Sequence, residues 1–123
     1  MLVTDLRIYI ISLKLSKEIL ALVNKIPDNW KIKEVDQIKR SCTSVPANIS
    51  EGFARRFYPK DFIRFLSISL GSSDETQTHL KSLYYQGILS ESDSNFFLKS
   101  YKDSSIKILK YIIYKKKKYN IKF

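Results

Sequence analysis

Residues 37–52 read QIKRSCTSVPANISEG and combine the pattern of a helix with a residue that helix interiors rarely contain. Apolar residues from Ile32 to Cys42 step by three and four positions, which predicts a helix over residues 31–54. Pro46 lies inside this helix. Proline removes one backbone hydrogen bond and clashes with the preceding turn, at a cost of about 3 kcal/mol. We therefore expect a proline-kinked second helix.

The hydroxyl groups just before Pro46 have a structural interpretation. Ser41, Thr43 and Ser44 lie two to five residues before the proline. Their side chains are expected to donate hydrogen bonds to the carbonyls that Pro46 leaves free. This polar cluster therefore indicates repair of a bent helix rather than a catalytic site.

Arg40 and Asn48, in the same stretch, each have a structural and a functional interpretation. The guanidinium of Arg40 suits a phosphate, but pairing with Glu51 or Asp36 is favoured because inward-facing charges are usually paired. Asn48 lies one turn before Glu51 and is expected to bond the backbone of a neighbouring helix or another subunit.

Outside this stretch, three segments show the apolar spacing of helices and have recognisable ends. Their patterns predict helices over residues 4–26, 59–86 and 92–116. The end signals are Thr4 or Asp5 as the first N-cap, Gly52 and the residues after it as the end of the second helix, Pro59 in the first turn of the third, Gly87 as its C-cap, and Ser90 or Ser92 as the last N-cap.

Two features of these helices concern packing. The first helix carries two adjacent lines of apolar residues, one more than a single packed face needs, which indicates a central position or a subunit interface. In the third helix, small residues around Gly71 are expected to let another helix approach closely.

Composition supports one helical domain. The chain has 123 residues, of which 44% are hydrophobic and only 3 are Gly and 3 Pro, which is scarce for a chain rich in tight turns. With short connections between the helices, the simplest packing is an all-α, antiparallel up-down-up-down four-helix bundle over residues 1–123.

The charge balance points to anionic partners. Lys and Arg number 22 against 12 Asp and Glu, a formal charge of +10, which favours nucleic acid first and an acidic membrane surface second. No apolar run reaches the ~18 residues of a membrane span. Cys42 is the only cysteine, so no intrachain disulfide is expected and a cytoplasmic location is the default.

A family resemblance covers most of residues 5–89. Residues 37–52, Arg55 and Arg56, residues 59–66 (PKDFIRFL) and residues 69–75 (SLGSSDE) resemble the four-helix-bundle proteins encoded in 23S rRNA intervening sequences. The opening of the same family's pattern is resembled by Asp5, Leu6, Tyr9, Ser12 and Leu13. The resemblance implies a homo-oligomeric ring, typically a pentamer. It also implies a relationship to accessory proteins of diversity-generating retroelements, which are associated with nucleic acid and reverse transcriptase. Cys42, Ser50 and Ser69 stand where alanine is usual in that pattern.

One basic cluster surrounds the junction of the second and third helices. Four of the five arginines lie between residues 40 and 64. Phe53, Phe57 and Tyr58 lie among them and suit either base stacking or packing. The residues assigned to an anionic ligand are Arg55, Arg56, Lys60 and Arg64.

A second basic cluster ends the chain. Residues 99–123 contain nine lysines and one acid, Asp103, for a net charge of +8. This segment is either a solvated helix end or an electrostatic arm for phosphates, with Lys115, Lys116, Lys117 and Lys118 as the assigned contacts. Tyr111, Tyr114 and Tyr119 lie among these lysines and are compatible with RNA stacking.

Signals for catalysis are weak. His79 is the only histidine, and its pairing with Glu75 supplies too few ligands for a metal site. No glycine-rich phosphate loop occurs, and no catalytic residue or cofactor is assigned. The sequence thus predicts a non-enzymatic homo-oligomer that binds RNA or another nucleic acid with little sequence specificity. The alternative is a protein scaffold or adaptor, for example for a reverse transcriptase.

Overall fold

Four helices make up the bundle in a computed structural model, which describes residues 1–30 and 32–122. They are α1 (Arg7–Asn24), α2 (Lys33–Ala54), α3 (Pro59–Tyr85) and α4 (Glu91–Lys118). Each helix packs against the next, and α1 also packs against α4. The antiparallel four-helix bundle predicted from the sequence is confirmed. Lys31, where the sequence predicts the start of the second helix, and Phe123, the end of the predicted domain, lie outside the described residues.

The buried core consists of two apolar clusters along the bundle axis, separated by small polar residues. One cluster, around Phe62, lies where α2 ends and α3 begins, and the other, around Tyr101, lies towards the opposite end. Between them, hydroxyl groups bond across helices. These bonds run from Ser69 Oγ to the carbonyl of Val45 at 2.8 Å, from Thr76 Oγ1 to Ser41 Oγ at 2.8 Å, and from Ser105 Oγ to Ser73 Oγ at 2.7 Å.

The ends of α3 and α4 follow their predicted chemistry. Pro59 occupies the first turn of α3, and the hydroxyl of Ser90 accepts a hydrogen bond from the Asp93 amide at 3.0 Å, which confirms Ser90 as the N-cap of α4. Gly87 has a φ of 75° and ends α3 in a Schellman motif, in which the Ile88 amide bonds the Leu83 carbonyl at 2.9 Å.

The start of α1 differs from the prediction. Thr4 and Asp5 belong to a short 3-10 helix (Val3–Asp5), and the N-cap of α1 is Leu6. The carboxylate of Asp5 accepts the Leu2 amide at 2.7 Å, so it caps its own turn instead of α1. The prediction of Thr4 or Asp5 as the cap was wrong because both residues lie inside the 3-10 turn that precedes α1.

Helix α2 continues through Pro46 from Lys33 to Ala54. The predicted repair by hydroxyl groups is wrong, because Ser41 donates to the Ile38 carbonyl and Thr43 donates to the Lys39 carbonyl, both before the carbonyl of Cys42 that Pro46 leaves free. Ser44 instead shares a hydrogen bond of 2.8 Å with Ser72 of α3. The polar cluster therefore joins α2 to α3.

Asn48 acts within its own helix. Its Nδ2 donates to both the carbonyl and the hydroxyl of Ser44, each at 2.8 Å. The predicted bond to a neighbouring helix's backbone is wrong. Asn48 stabilises the Ser44 hydroxyl, which in turn reaches Ser72 of α3. Its contact with α3 is thus indirect.

The two helical glycines do not have the roles expected of them. Gly52 is a buried residue within α2, and a Cβ there would lie 3.1 Å from the Phe62 ring and 3.2 Å from the Phe62 carbonyl. Gly71 is exposed, and a Cβ there would meet nothing within 4 Å. The prediction that Gly71 permits close helix packing was wrong. That role belongs to Gly52, with the buried Ser69 and Ser73 admitting the neighbours of α3.

Arg40 is exposed, and the ion pair predicted for it with Glu51 does not form. Glu51 instead pairs with Arg55, one turn further along, at 2.6 Å. Among the described residues Arg40 has no salt bridge with Asp36 either. The one-turn spacing between Glu51 and Arg55 brings their side chains together, whereas Arg40 lies three turns before Glu51.

Candidate nucleic-acid interface

The two basic clusters that are separate in sequence meet at one end of the bundle. Helix α2 ends there, α3 begins there, and α4 ends there. The ammonium of Lys115 in α4 lies 5.8 Å from the centre of the Phe62 ring in α3. A shallow pocket at the same end is lined by residues 58–61 together with Tyr119 and Ile121.

Nearly all of the net charge lies in this end of the molecule. Dividing each helix at its midpoint gives a basic half, residues 1–15, 44–72 and 105–122, with thirteen Lys or Arg residues against three Asp or Glu residues. The described residues of the opposite half carry eight basic and nine acidic side chains. The bundle is therefore strongly polarised along its axis. The C-terminal segment from residue 99 carries +8 in the sequence, and the fold places the arginine cluster next to its end.

Arg55 and Arg64 of the first cluster are held against the same aromatic ring. The guanidinium carbons of Arg55 and Arg64 lie 4.8 Å and 4.4 Å from the centre of the Phe65 ring. Arg55 also pairs with Glu51, and Arg64 lies 3.9 Å from Asp61. These contacts fix the orientation of the guanidinium groups at exposed positions, where each cation–π contact contributes roughly 0.5–1 kcal/mol.

Arg56 connects the core to the turn between α2 and α3. Its guanidinium carbon lies 4.3 Å from the Phe53 ring, which is buried, and 4.8 Å from the Phe57 ring, which is 79% exposed. A hydrogen bond of 3.1 Å from Arg56 Nη1 to the Phe53 carbonyl holds it there. Of the aromatic residues predicted for stacking or packing, Phe53 packs, whereas Phe57 and Tyr58 are exposed.

Lys115 is engaged with aromatic rings rather than pointing freely into solvent. Its ammonium lies 5.5–5.8 Å from the ring centres of Phe62, Tyr111, Tyr114 and Tyr119. Burial, with smaller contributions from Tyr119 and Tyr114, raises the pKa of Tyr111 to about 12. The phenol therefore stays neutral at physiological pH. Lys115 thus has a structural contact that the sequence did not indicate.

The remaining lysines of the assigned site differ in exposure. Lys60, Lys117 and Lys118 are exposed, whereas Lys116 is half-buried. The structure therefore brings all eight assigned basic residues to one end but presents them unequally. Lys60, Lys117 and Lys118 offer the most accessible charges, and the three arginines at positions 55, 56 and 64 combine charge with ring contacts.

The end of α4 is ordered by a Schellman motif. The helix continues to Lys118, two residues beyond the predicted end at Lys116. Asn120 takes a φ of 54°, and the Ile121 amide bonds the Lys116 carbonyl at 2.8 Å. Ile121 packs against the apolar cluster around Phe62. The lysines of this segment are thereby held on a defined surface.

The residues considered for catalysis lie elsewhere. His79 Nε2 lies 3.8 Å from the Glu75 carboxylate, which is too long for a hydrogen bond. Burial raises the pKa of the Cys42 thiol to about 11, so it is a poor nucleophile at neutral pH. No group of three or more metal-binding side chains occurs among the described residues. Within that same part of the chain, no helix has the length and apolar character that crossing a membrane requires.

Comparison with known proteins identifies the family. The model of the 23S rRNA-intervening sequence protein family matches residues 4–110. The chain belongs to this family. The match runs from the start of the bundle into the middle of α4, so the C-terminal lysines at 115–118 lie beyond it.

The fold of this 23S rRNA-intervening sequence protein resembles a solved structure. That structure is described as a protein with unknown function from the S23 ribosomal protein family of Bacteroides thetaiotaomicron VPI-5482. It superposes with a TM-score of 0.79 at 24% identity, covering 85% of this chain and 97% of that chain. The likeness supports the helical fold. No curated protein matches the chain.

Proposed function

We propose that this protein is a non-enzymatic, homo-oligomeric bundle of the cytoplasm that binds RNA or another nucleic acid through its basic half with little sequence specificity. The observation that carries the proposal is the meeting of two basic clusters, around residues 55–64 and 115–118, at one end of the bundle. Exposed aromatic rings lie at the same end.

The charge distribution suits a polyanion better than a small anionic ligand. Thirteen basic side chains against three acidic ones are spread over one half of the four-helix bundle rather than gathered in an enclosed cavity. Lysines and arginines that contact phosphates release counterions, and this gives affinity without regard to base sequence. The family name refers to sequences within 23S rRNA, which makes RNA the first nucleic acid to test.

The surface of α1 supports self-association. Tyr9, Leu13 and Leu20 are only half-buried and line an apolar groove with Pro46 and Ala47 of α2. A second copy of the chain is the proposed occupant, and a pentameric ring would repeat the basic surface and raise avidity. Light scattering tests this assignment, because a monomer whose mass does not change with concentration contradicts it.

Fluorescence anisotropy with labelled RNA, repeated over a range of salt concentrations, tests nucleic-acid binding. The double variant K117E/K118E should bind much more weakly than the wild type. K81E/K99E, which changes the same amount of charge at exposed positions of the opposite half, is the matched control and should bind nearly as well. Absence of binding at low salt, or equal loss in both variants, contradicts the proposal.

A protein scaffold or adaptor is the second candidate, and the α1–α2 groove favours it. An apolar groove of this kind can accept a partner protein as well as another copy. A reverse transcriptase is one partner to test. Affinity capture with nuclease treatment separates the candidates, because a protein that is retained after the nucleic acid is destroyed binds the bundle directly.

A further inference from the structure

The turn between α2 and α3 presents two neighbouring aromatic rings to solvent. Phe57 is 79% exposed and Tyr58 is 70% exposed. Exposing two large rings side by side gives the isolated bundle no packing energy. If the turn holds the two rings in a fixed position, binding of a ligand would explain their exposure.

Hydrogen bonds and a proline hold this turn rigidly. The Arg55 amide bonds the Gly52 carbonyl at 2.9 Å, and the Tyr58 amide bonds the Arg55 carbonyl at 2.8 Å. Pro59 follows at once and begins α3. The rings are thus mounted on a short, fixed connection, so little conformational entropy is lost when something stacks on them.

The Phe57 ring is also held at one side. The Arg56 guanidinium carbon lies 4.8 Å from its centre and 4.3 Å from the centre of the buried Phe53 ring. Arg56 thus links the Phe57 ring to the core. A base that stacks on Phe57 meets a ring held in position next to a cation that strengthens stacking.

Charge distinguishes this end from the other exposed aromatic residues of the bundle. Trp30 and Tyr85 lie at the opposite end and are 53% and 83% exposed. The described part of that half has slightly more acidic than basic side chains. At the Phe57 turn, exposed rings adjoin a strong positive charge, as the exposed ring of Tyr114 in α4 also does. This is the combination that single-stranded nucleic acids require.

We propose, on the basis of the function proposed above, that the basic end binds single-stranded nucleic acid, with unpaired bases stacked on Phe57 and Tyr58 and the backbone phosphates on Lys60, Lys117 and Lys118. A duplex keeps its bases stacked inside and cannot use the two rings. The pocket lined by Tyr58, Lys60 and Tyr119 lies between the turn and the end of α4, so one strand can contact both.

The test compares a labelled oligouridine strand with a blunt RNA duplex of the same length. The double variant F57L/Y58L keeps the charge and much of the apolar area but removes both rings. It should lose about fivefold to a hundredfold in affinity for the single strand, with little change for the duplex. Y85L removes an equally exposed ring at the opposite end and should leave both affinities unchanged.

Each other outcome has a definite meaning. Equal binding of strand and duplex, unaffected by F57L/Y58L but lost in K117E/K118E, overturns this inference and leaves the nucleic-acid function intact. No binding of either probe overturns both. A lower molecular mass of F57L/Y58L in light scattering would assign the rings to a subunit contact. If F57L/Y58L lost binding to phosphatidylserine vesicles but kept its affinity for the single strand, the rings would be assigned to a membrane surface. Either result overturns the inference.

Discussion

A Cβ atom on Gly52 of α2 would lie 3.0 Å from the Cβ of Phe65 in α3. This is closer than side-chain carbons normally approach, so the absence of a side chain on Gly52 sets the distance between the two helices. The same contact places Phe65 where Arg55 and Arg64 lie over its ring. Packing of α2 against α3 and the arrangement of the arginine cluster therefore depend on one position.

Substitution of Gly52 tests this dependence. Gly52→Ala should lower the free energy of unfolding by about 1–3 kcal/mol, since neither the Phe62 carbonyl nor the Phe65 Cβ can move without shifting a helix. Gly71→Ala is the control and should raise stability by up to about 1 kcal/mol, because an exposed helical glycine gains from alanine. Urea denaturation followed by circular dichroism measures both. A Gly52→Ala protein as stable as the wild type would contradict the packing argument.

The requirement for glycine at position 87 comes from its backbone conformation and not from close packing. A Cβ there would meet nothing within 4 Å, but its φ of 75° is unfavourable for other residues. Gly87→Ala should therefore cost about 1–2 kcal/mol. Asn120, at the corresponding position after α4 with a φ of 54°, gives the reverse test. Asn120→Gly should leave thermal stability unchanged or raise it, and a fall in the melting temperature would count against the Schellman assignment.

The contrast among these glycines shows what the sequence could predict. The presence of four helices, the Gly87 cap and the Ser90 cap depend on residues close in the chain, and those predictions are confirmed. The role of Gly52 depends on where α3 crosses α2, and the aromatic contacts of Lys115 depend on a ring in α3. Such contacts join residues from different helices, and their distances are fixed only when the bundle assembles.

The candidate site was predictable to the same extent. Charge counting identified both basic clusters, but their meeting at one end follows from the antiparallel order of the helices. Arg40 illustrates the limit, because a charge near a bent helix suggested an inward pair and the residue is exposed. Of its two predicted partners, Glu51 is paired with Arg55 at one-turn spacing.

The thiol of Cys42 should make stability depend on alkaline pH. Burial raises its pKa from 9.0 to about 11, so the unfolded chain loses this proton first. The stabilisation is present below pH 9 and is lost as the pH rises towards 11, a change on the order of 2 kcal/mol. Urea denaturation at several pH values should show this fall in the wild type and a smaller one in Cys42→Ala. Identical pH profiles would exclude the thiol as the cause.

Lys115 and Lys118 should respond differently to substitution. Lys115→Ala removes contacts with four aromatic rings, at roughly 0.5–1 kcal/mol for an exposed cation–π contact, and should lower the melting temperature. Lys118→Ala removes an exposed charge and should leave the melting temperature nearly unchanged while weakening RNA binding. Thermal denaturation and anisotropy on the same two proteins provide the comparison. Equal stability of both variants would mean that the rings do not hold Lys115.

The dependence of affinity on salt should separate phosphate contacts from base stacking. Each lysine that neutralises a phosphate of a single strand contributes about 0.7 to the slope of log K against log salt. Lys118→Ala should therefore reduce the slope by about 0.7 and weaken binding to oligonucleotides of different sequence alike. Phe57→Leu removes no charge, so it should lower affinity at every salt concentration without changing the slope. If Phe57→Leu changed the slope as much as Lys118→Ala, the ring would be acting through the position of the charges, and stacking would not explain its exposure.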